Sequence, residues 1–178
     1  MKADKPVLVV YYSLTGNTAR VAEDIAARLN AEVETISDQR KRSGLWGHLR
    51  AVTDTIREAP AQIANFRKDP TQYVLIVVGT PVWAAKMTPA IRAYLRITRG
   101  ALGEVAFFTT SGNTDAAKIV PFMEALAGQK AIAFTGFNAS DLKNATVYEN
   151  KITAFVDILR RSSPARAAAI DDRLRAHG

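Results

Sequence analysis

Val7-Leu8-Val9-Val10-Tyr11-Tyr12-Ser13-Leu14-Thr15-Gly16-Asn17-Thr18 is the stretch on which the fold turns. Its first six residues are an apolar run that reads as a strand buried on both faces. The next six are rich in hydroxyls with a single glycine, and beyond them Val21, Ile25 and Leu29 recur every four residues, as on the buried face of a helix. A polar turn in that position brings backbone N–H groups and the positive end of the helix macrodipole to one point, which makes it an anion cradle. Ser13, Thr15 and Thr18 can add hydroxyl donors. No Lys or Arg lies between Val7 and Ala19, so an anion there is held by neutral donors, unlike in a P-loop, whose lysine contacts the phosphates. An ordinary N-capped strand-to-helix turn has the same local pattern, so the reading depends on the other loops.

Four further runs follow the first at intervals: Val33–Ile36, Tyr73–Gly79, Glu104–Thr110 and Ala131–Phe137. Helical stripes separate them. Ile91 and Leu95 make one, Ile119, Met123 and Leu126 another, and Ile152, Phe155, Val156 and Leu159 the last. Repeated strand–helix units imply an α/β fold, a doubly wound five-stranded parallel sheet with helices on both faces and right-handed crossovers. The expected strand order is 2-1-3-4-5, with a ligand site at the switch point between strands 1 and 3. A domain over residues 1–161 is expected, with residues 37–70 as an extended crossover. There Trp46, Leu49, Val52 and Ile56 fall at near-helical spacing and imply an extra helix. Residues 162–178, rich in Ala and Arg, read as a basic C-terminal extension.

The 178 residues carry a formal net charge of +7 and no cysteine, which excludes disulfides, thiolate ligands and a thiol nucleophile. His48 and His177 have no metal-ligand spacing, so no metal site is expected. The basic residues gather around Arg40–Arg50, Lys86–Arg99 and Arg160–Arg175, without the aromatic interleaving or binding module of a nucleic-acid protein. They read as solvated helix faces. No apolar run is long enough for a transmembrane segment, and Met1–Pro6 lacks the apolar stretch of a signal peptide. The expected location is cytoplasmic.

Two more loops leave the strand ends expected to lie beside the first. Gly79-Thr80-Pro81-Val82-Trp83-Ala84-Ala85-Lys86-Met87-Thr88-Pro89 offers the flat face of Trp83 between two prolines. Thr109-Thr110-Ser111-Gly112-Asn113-Thr114-Asp115 is small and polar, with Thr114 or Asp115 as a helix cap. Taken with the first loop, which has the form hydroxyl-x-Thr-Gly-x-Thr, this sequence resembles the flavodoxin family, including the flavodoxin-like NAD(P)H:quinone reductases. The likeness spans Val7 to about Arg160. It implies FMN as cofactor. The 5′-phosphate would be held by Ser13, Leu14, Thr15, Gly16, Asn17 and Thr18. The ring would meet Pro81, Val82, Trp83, Ala84, Ala85 and Lys86, and its pyrimidine edge the backbone of Thr110, Ser111, Gly112 and Asn113.

The chain departs from the family's electron carriers in charge and in two loops. Carriers are as a family acidic, and they usually sandwich the flavin between aromatics of the second and third loops. The third loop here has no aromatic residue, which leaves one flavin face open to a nicotinamide, a quinone or a residue of a second subunit, so a homo-oligomer is among the expected arrangements. Many carriers also have a glycine whose peptide flips as the flavin is half reduced. Ala84-Ala85 stands at that place, and Lys86 is a cation near the ring that favours the anionic, fully reduced form. The expectation is an FMN oxidoreductase passing electrons from NAD(P)H to a quinone-like acceptor. The alternatives are a one-electron carrier and a non-redox interaction module. No catalytic side chain is assigned, because the flavin supplies the chemistry.

Overall fold

In the computed structural model, residues 7–36 and 66–162 are described. The Trp46 segment, the basic stretch Arg40–Arg50, residues 163–178 of the extension and both histidines lie outside the described residues.

The elements run β1 (Val7–Tyr11), α1 (Asn17–Leu29), β2 (Glu32–Thr35), β3 (Leu75–Trp83), β4 (Lys86–Met87), α2 (Pro89–Ile97), β5 (Glu104–Ser111), α3 (Val120–Ala127), β6 (Ala133–Asn138), α4 (Ala139–Lys143) and α5 (Ala145–Arg161). The sheet order is β2-β1-β3-β5-β6, with every neighbouring pair parallel. This is the expected order 2-1-3-4-5, with β5 and β6 as its fourth and fifth strands because the short β4 takes a number.

Alternation along the buried strands divides the core into two layers. Val9, Tyr11, Leu75, Val77 and Phe108 face α1 and α5, where Val21, Ile25, Ile152 and Phe155 pack onto them. Leu8, Val10, Ile76, Val78 and Phe107 face α2 and α3, meeting Ile91, Leu95, Ile119 and Met123. The stripes read from the sequence are thus the core-facing sides of helices on opposite faces.

Three features differ from the sequence-based expectation or were not foreseen. The stretch after Gly79 is not simply a loop: β3 continues through Trp83 and folds back as an antiparallel hairpin, pairing Val82 with Met87 and Trp83 with Lys86. A short helix, α4, follows β6. Asn138 caps it by accepting from Ser140 N and Asp141 N while Asp141 Oδ2 accepts from Asn138 N, a reciprocal capping box. The Asp141 carboxyl is opposed by burial, yet it lies below its ordinary range because Lys151 Nζ and Asn138 N both donate to it. Thirdly, a ring stands where one glycine leaves room. Gly79 pairs with Phe108 across β3 and β5, and a Cβ built on Gly79 falls 2.0 Å from Phe108 Cζ.

That overlap gives a stability test. Gly79→Ala should destabilise the protein by roughly 1–3 kcal/mol or more through overpacking. Phe108→Leu should cost less in the Gly79→Ala background than in the wild type, because the two changes share one space. Urea unfolding of the two single variants and the double variant checks this, and simple additivity would contradict it.

Candidate functional site

The register of the central strands sets the site. Tyr11, Gly79 and Phe108 are paired across β1, β3 and β5, so the three loops leave the same edge of the sheet, the first at Tyr11 and the other two after β3 and β5 have run on a few residues further. The chain runs outward from β1 to β2 and then returns to β3 on the other side, which makes the gap between β1 and β3 the switch point where open α/β sheets place ligands.

The first loop ends at Gly16, with φ 92° in the left-handed region that glycine tolerates. Gly16 N donates to Ser13 Oγ at 3.2 Å, which closes the turn. The start of α1 has no side-chain cap and no acidic residue in its first turn. Its leading N–H groups therefore face outward as an uncapped positive helix end, beside the exposed Thr15, Gly16 and Asn17. Ser13 and Leu14 are half-buried, and Leu14 packs on the α2–α3 side of the core. Arg20, the next cation along, is turned away: its guanidinium lies 4.2 Å from the Tyr148 ring centroid and donates to Leu142 O. The cradle keeps a neutral donor set.

Thr18 has a different place from the other hydroxyls. It is buried, and its Oγ1 lies 2.7 Å from Thr110 Oγ1. This bond ties α1 to the end of β5, so the first and third loops form one surface.

In the second loop, Trp83 is half-buried and meets Tyr12 edge to face, with centroids 5.9 Å apart at 83°. Tyr12 is a contributor the sequence reading did not single out. The signal was its position as the last apolar residue of the first run. Thr80 anchors the base of the hairpin. Its hydroxyl donates to Pro81 O, accepts from Thr88 N and bonds Thr88 Oγ1, which uses its full hydrogen-bonding capacity. The two residues at the tip, Ala84 at φ 49° and Ala85 at φ 57°, both have positive φ. A two-residue hairpin with that pattern is a type I′ turn, whose usual residues are Asn-Gly. Each alanine there carries a steric cost. Pro81 is half-buried, Val82 is buried in the core, and Lys86 is half-buried opposite Trp83.

The third loop is closed by Ser111, whose Oγ donates to Thr114 O and accepts from Thr114 N, both at 2.9 Å. The Ser111 hydroxyl proton is thereby used within the loop. Gly112 and Asn113 are exposed, and Gly112 O accepts from Ala139 N at 3.4 Å. Asp115 Oδ1 accepts from Ala117 N at the start of a single 3₁₀ turn, the capping role expected of it. Among the described residues no group of His, Asp or Glu is arranged to hold a metal ion. No described helix is long and apolar enough to cross a membrane.

Sheet order, switch point and loop arrangement define an open α/β protein with a flavodoxin-like fold. Solved structures agree. A flavoprotein of Lactobacillus acidophilus NCFM, solved in complex with FMN, is 26% identical over 78% of this chain and 97% of its own, with a TM-score of 0.62. A protein of Bacteroides eggerthii DSM 20697 has a TM-score of 0.69 at 19% identity over 86% of this chain and 96% of its own. Rubredoxin oxygen:oxidoreductase of Desulfovibrio gigas matches 93% of this chain with 38% of its own, at 15% identity and a TM-score of 0.59. No protein-family model and no curated protein sequence matches the chain.

The Ala84-Ala85 turn can be tested alone. Replacing it by Asn-Gly should raise stability by about 1–2 kcal/mol, since both new residues accept positive φ readily. Thermal and urea unfolding read the effect, and a loss of stability would contradict the turn assignment.

Proposed function

We propose that this protein binds FMN across its three loops and acts as an oxidoreductase, passing electrons from NAD(P)H to a quinone-like acceptor. The observation that carries the FMN reading is the uncapped start of α1. It is flanked by exposed hydroxyl and glycine positions and free of acidic residues, at the switch point of a flavodoxin-like sheet. Its donors suit a terminal phosphate, and the FMN complex of the Lactobacillus acidophilus flavoprotein supports the choice of flavin. In this reading Ser13, Thr15, Gly16 and Asn17 bind the phosphate, and Thr18 acts indirectly by fixing α1 to Thr110. Trp83, held by Tyr12, offers its face to the ring, and Gly112 and Asn113 offer backbone to the pyrimidine edge.

When bound, FMN supplies a ring that takes up electrons from a nicotinamide and passes them on. The chain's part is to leave room for that partner. No aromatic residue occurs from Thr109 to Asp115 to cover the ring face opposite Trp83. The hairpin supports the enzyme over the carrier on a second ground. Turning over the Ala84–Ala85 peptide would convert type I′ to type II′ and place Ala84 where hairpins use glycine. The resistance to a flip thus comes from the second conformation, since the first already has both alanines at positive φ.

Titration with FMN should show a Kd on the order of 1 μM or tighter. Trp83→Ala should weaken binding by roughly 0.5–1.5 kcal/mol beyond the lost burial. Thr15→Ala and Gly16→Val should weaken it as well. The absence of any flavin binding would favour the non-redox module.

Steady-state assays separate enzyme from carrier. The FMN-supplied protein should oxidise NADH or NADPH in the presence of a quinone at on the order of 1 per second or faster. Stepwise anaerobic reduction should pass almost directly from yellow to colourless. Abundant blue colour midway, with no nicotinamide oxidation, would establish the one-electron carrier instead.

A further inference from the structure

The joint between β6, α4 and α5 is built around an ammonium group. Lys151, on α5, donates from Nζ to Gly136 O at 2.8 Å and to Asp141 Oδ2 at 2.6 Å. Gly136 lies on β6 and Asp141 on α4, so one side chain ties these elements to α5. The same Asp141 oxygen accepts from Asn138 N at 3.0 Å, and Asn138 is paired with Ser111 at the end of the β5–β6 ladder. The next residue, Ala139, donates its N–H to Gly112 O. A continuous chain of contacts thus runs from Lys151 through Asp141 and Asn138 to the third loop.

We infer that Lys151 is a positioning residue for the third loop, setting through Asp141 and Asn138 the place of the Gly112 and Asn113 backbone. The inference rests on the flavin reading for its ligand, and it adds a residue outside the set proposed to touch FMN. Asn113, Thr114 and Asp115 share with Asp141 and Lys151 the lining of a cavity of about 370 Å3. Walls separated by open space do not place one another by packing, so directed bonds seat the loop on this side. Charge-assisted bonds suit that task, being shorter and stronger than neutral ones. Asp141 is buried, so its carboxylate without the ammonium is left an uncompensated charge and draws the start of α4 toward water. The loop moves with that start, because Ala139 is the residue that holds Gly112 O.

Amide chemical shifts of Gly112 and Asn113, followed by NMR, and titration with FMN test the tie in the full chain. Lys151→Met should move both amides in the flavin-free protein and weaken FMN binding about tenfold. Lys151→Arg should keep the wild-type shifts and an affinity within about threefold, because a guanidinium can also donate to a carbonyl and a carboxylate. Asp141→Asn leaves an acceptor for Asn138 N but removes the counter-charge, and it should move the same amides by less. Ile152→Val trims a core side chain at the next position of α5 and serves as the control. It should lower stability to urea while leaving both amides and the FMN affinity at their wild-type values. Unchanged amides and affinity in Lys151→Met, or equal effects of Ile152→Val, would overturn the inference. If Lys151→Met does not fold, Asp141→Asn decides in the same way. A wild type that binds no FMN would instead sink the flavin reading, and the flavin-free amide shifts would still decide whether Lys151 seats the loop.

Discussion

The Phe108 ring over Gly79 is the constraint on which the carboxyl edge of the sheet depends. A ring can lie there only because Gly79 has no Cβ, and it lies directly across from Gly79 in the β3–β5 ladder. That contact resists a slip between β3 and β5, because a one-residue slip would turn every side chain to the other face. With Gly79 also paired to Tyr11, the three central strands are held in register where β1 ends, and β3 and β5 run on together beyond that level. The loops converge because the strands beneath them cannot slide.

Above that level, hydroxyl groups do the joining. Thr18 binds Thr110, Thr80 gathers Thr88 and Pro81, and Ser111 closes on Thr114. Threonine and serine can donate and accept at once without bringing charge. The edge of the sheet is thereby braced while the start of α1 keeps no side-chain cap and no acidic residue in its first turn. A basic side chain used as a brace would have placed a charge beside that helix start. Arg20 is held elsewhere, against Tyr148 and Leu142.

Most of the architecture was legible in the sequence because the strands are buried on both faces and the helices carry single stripes. The parallel sheet followed from alternating units, and its strand order came with the resemblance to flavodoxins that the loops carry. The hairpin was not legible: Ala84-Ala85 lacks the asparagine and glycine that mark a two-residue turn, and Pro81 argued against a continuing strand. Its pairing comes from tertiary context that tolerates two residues at positive φ. The helix after β6 was legible in principle, since Asn138 and Asp141 have capping-box spacing, but five residues leave little periodic pattern. In the candidate site, residue types pointed to the first loop and to Trp83 as candidates. The pairing of Thr18 with Thr110 carried no local signal, nor did the contact of Tyr12 with Trp83, because each joins residues distant in the chain.

The Thr18–Thr110 bond spans 92 positions, and that separation has a consequence for the order of events during synthesis. The cradle motif is among the first segments made, but its supporting partner is on β5, which in turn needs β3 beside it. Contacts so far apart in sequence form only after the cost of closing the intervening chain has been met. While the ribosome is still making β5, the nascent chain carries the complete hydroxyl-glycine motif without the surface that gives it shape. The first loop therefore gains its brace only once β5 is in place, although its own residues were made long before.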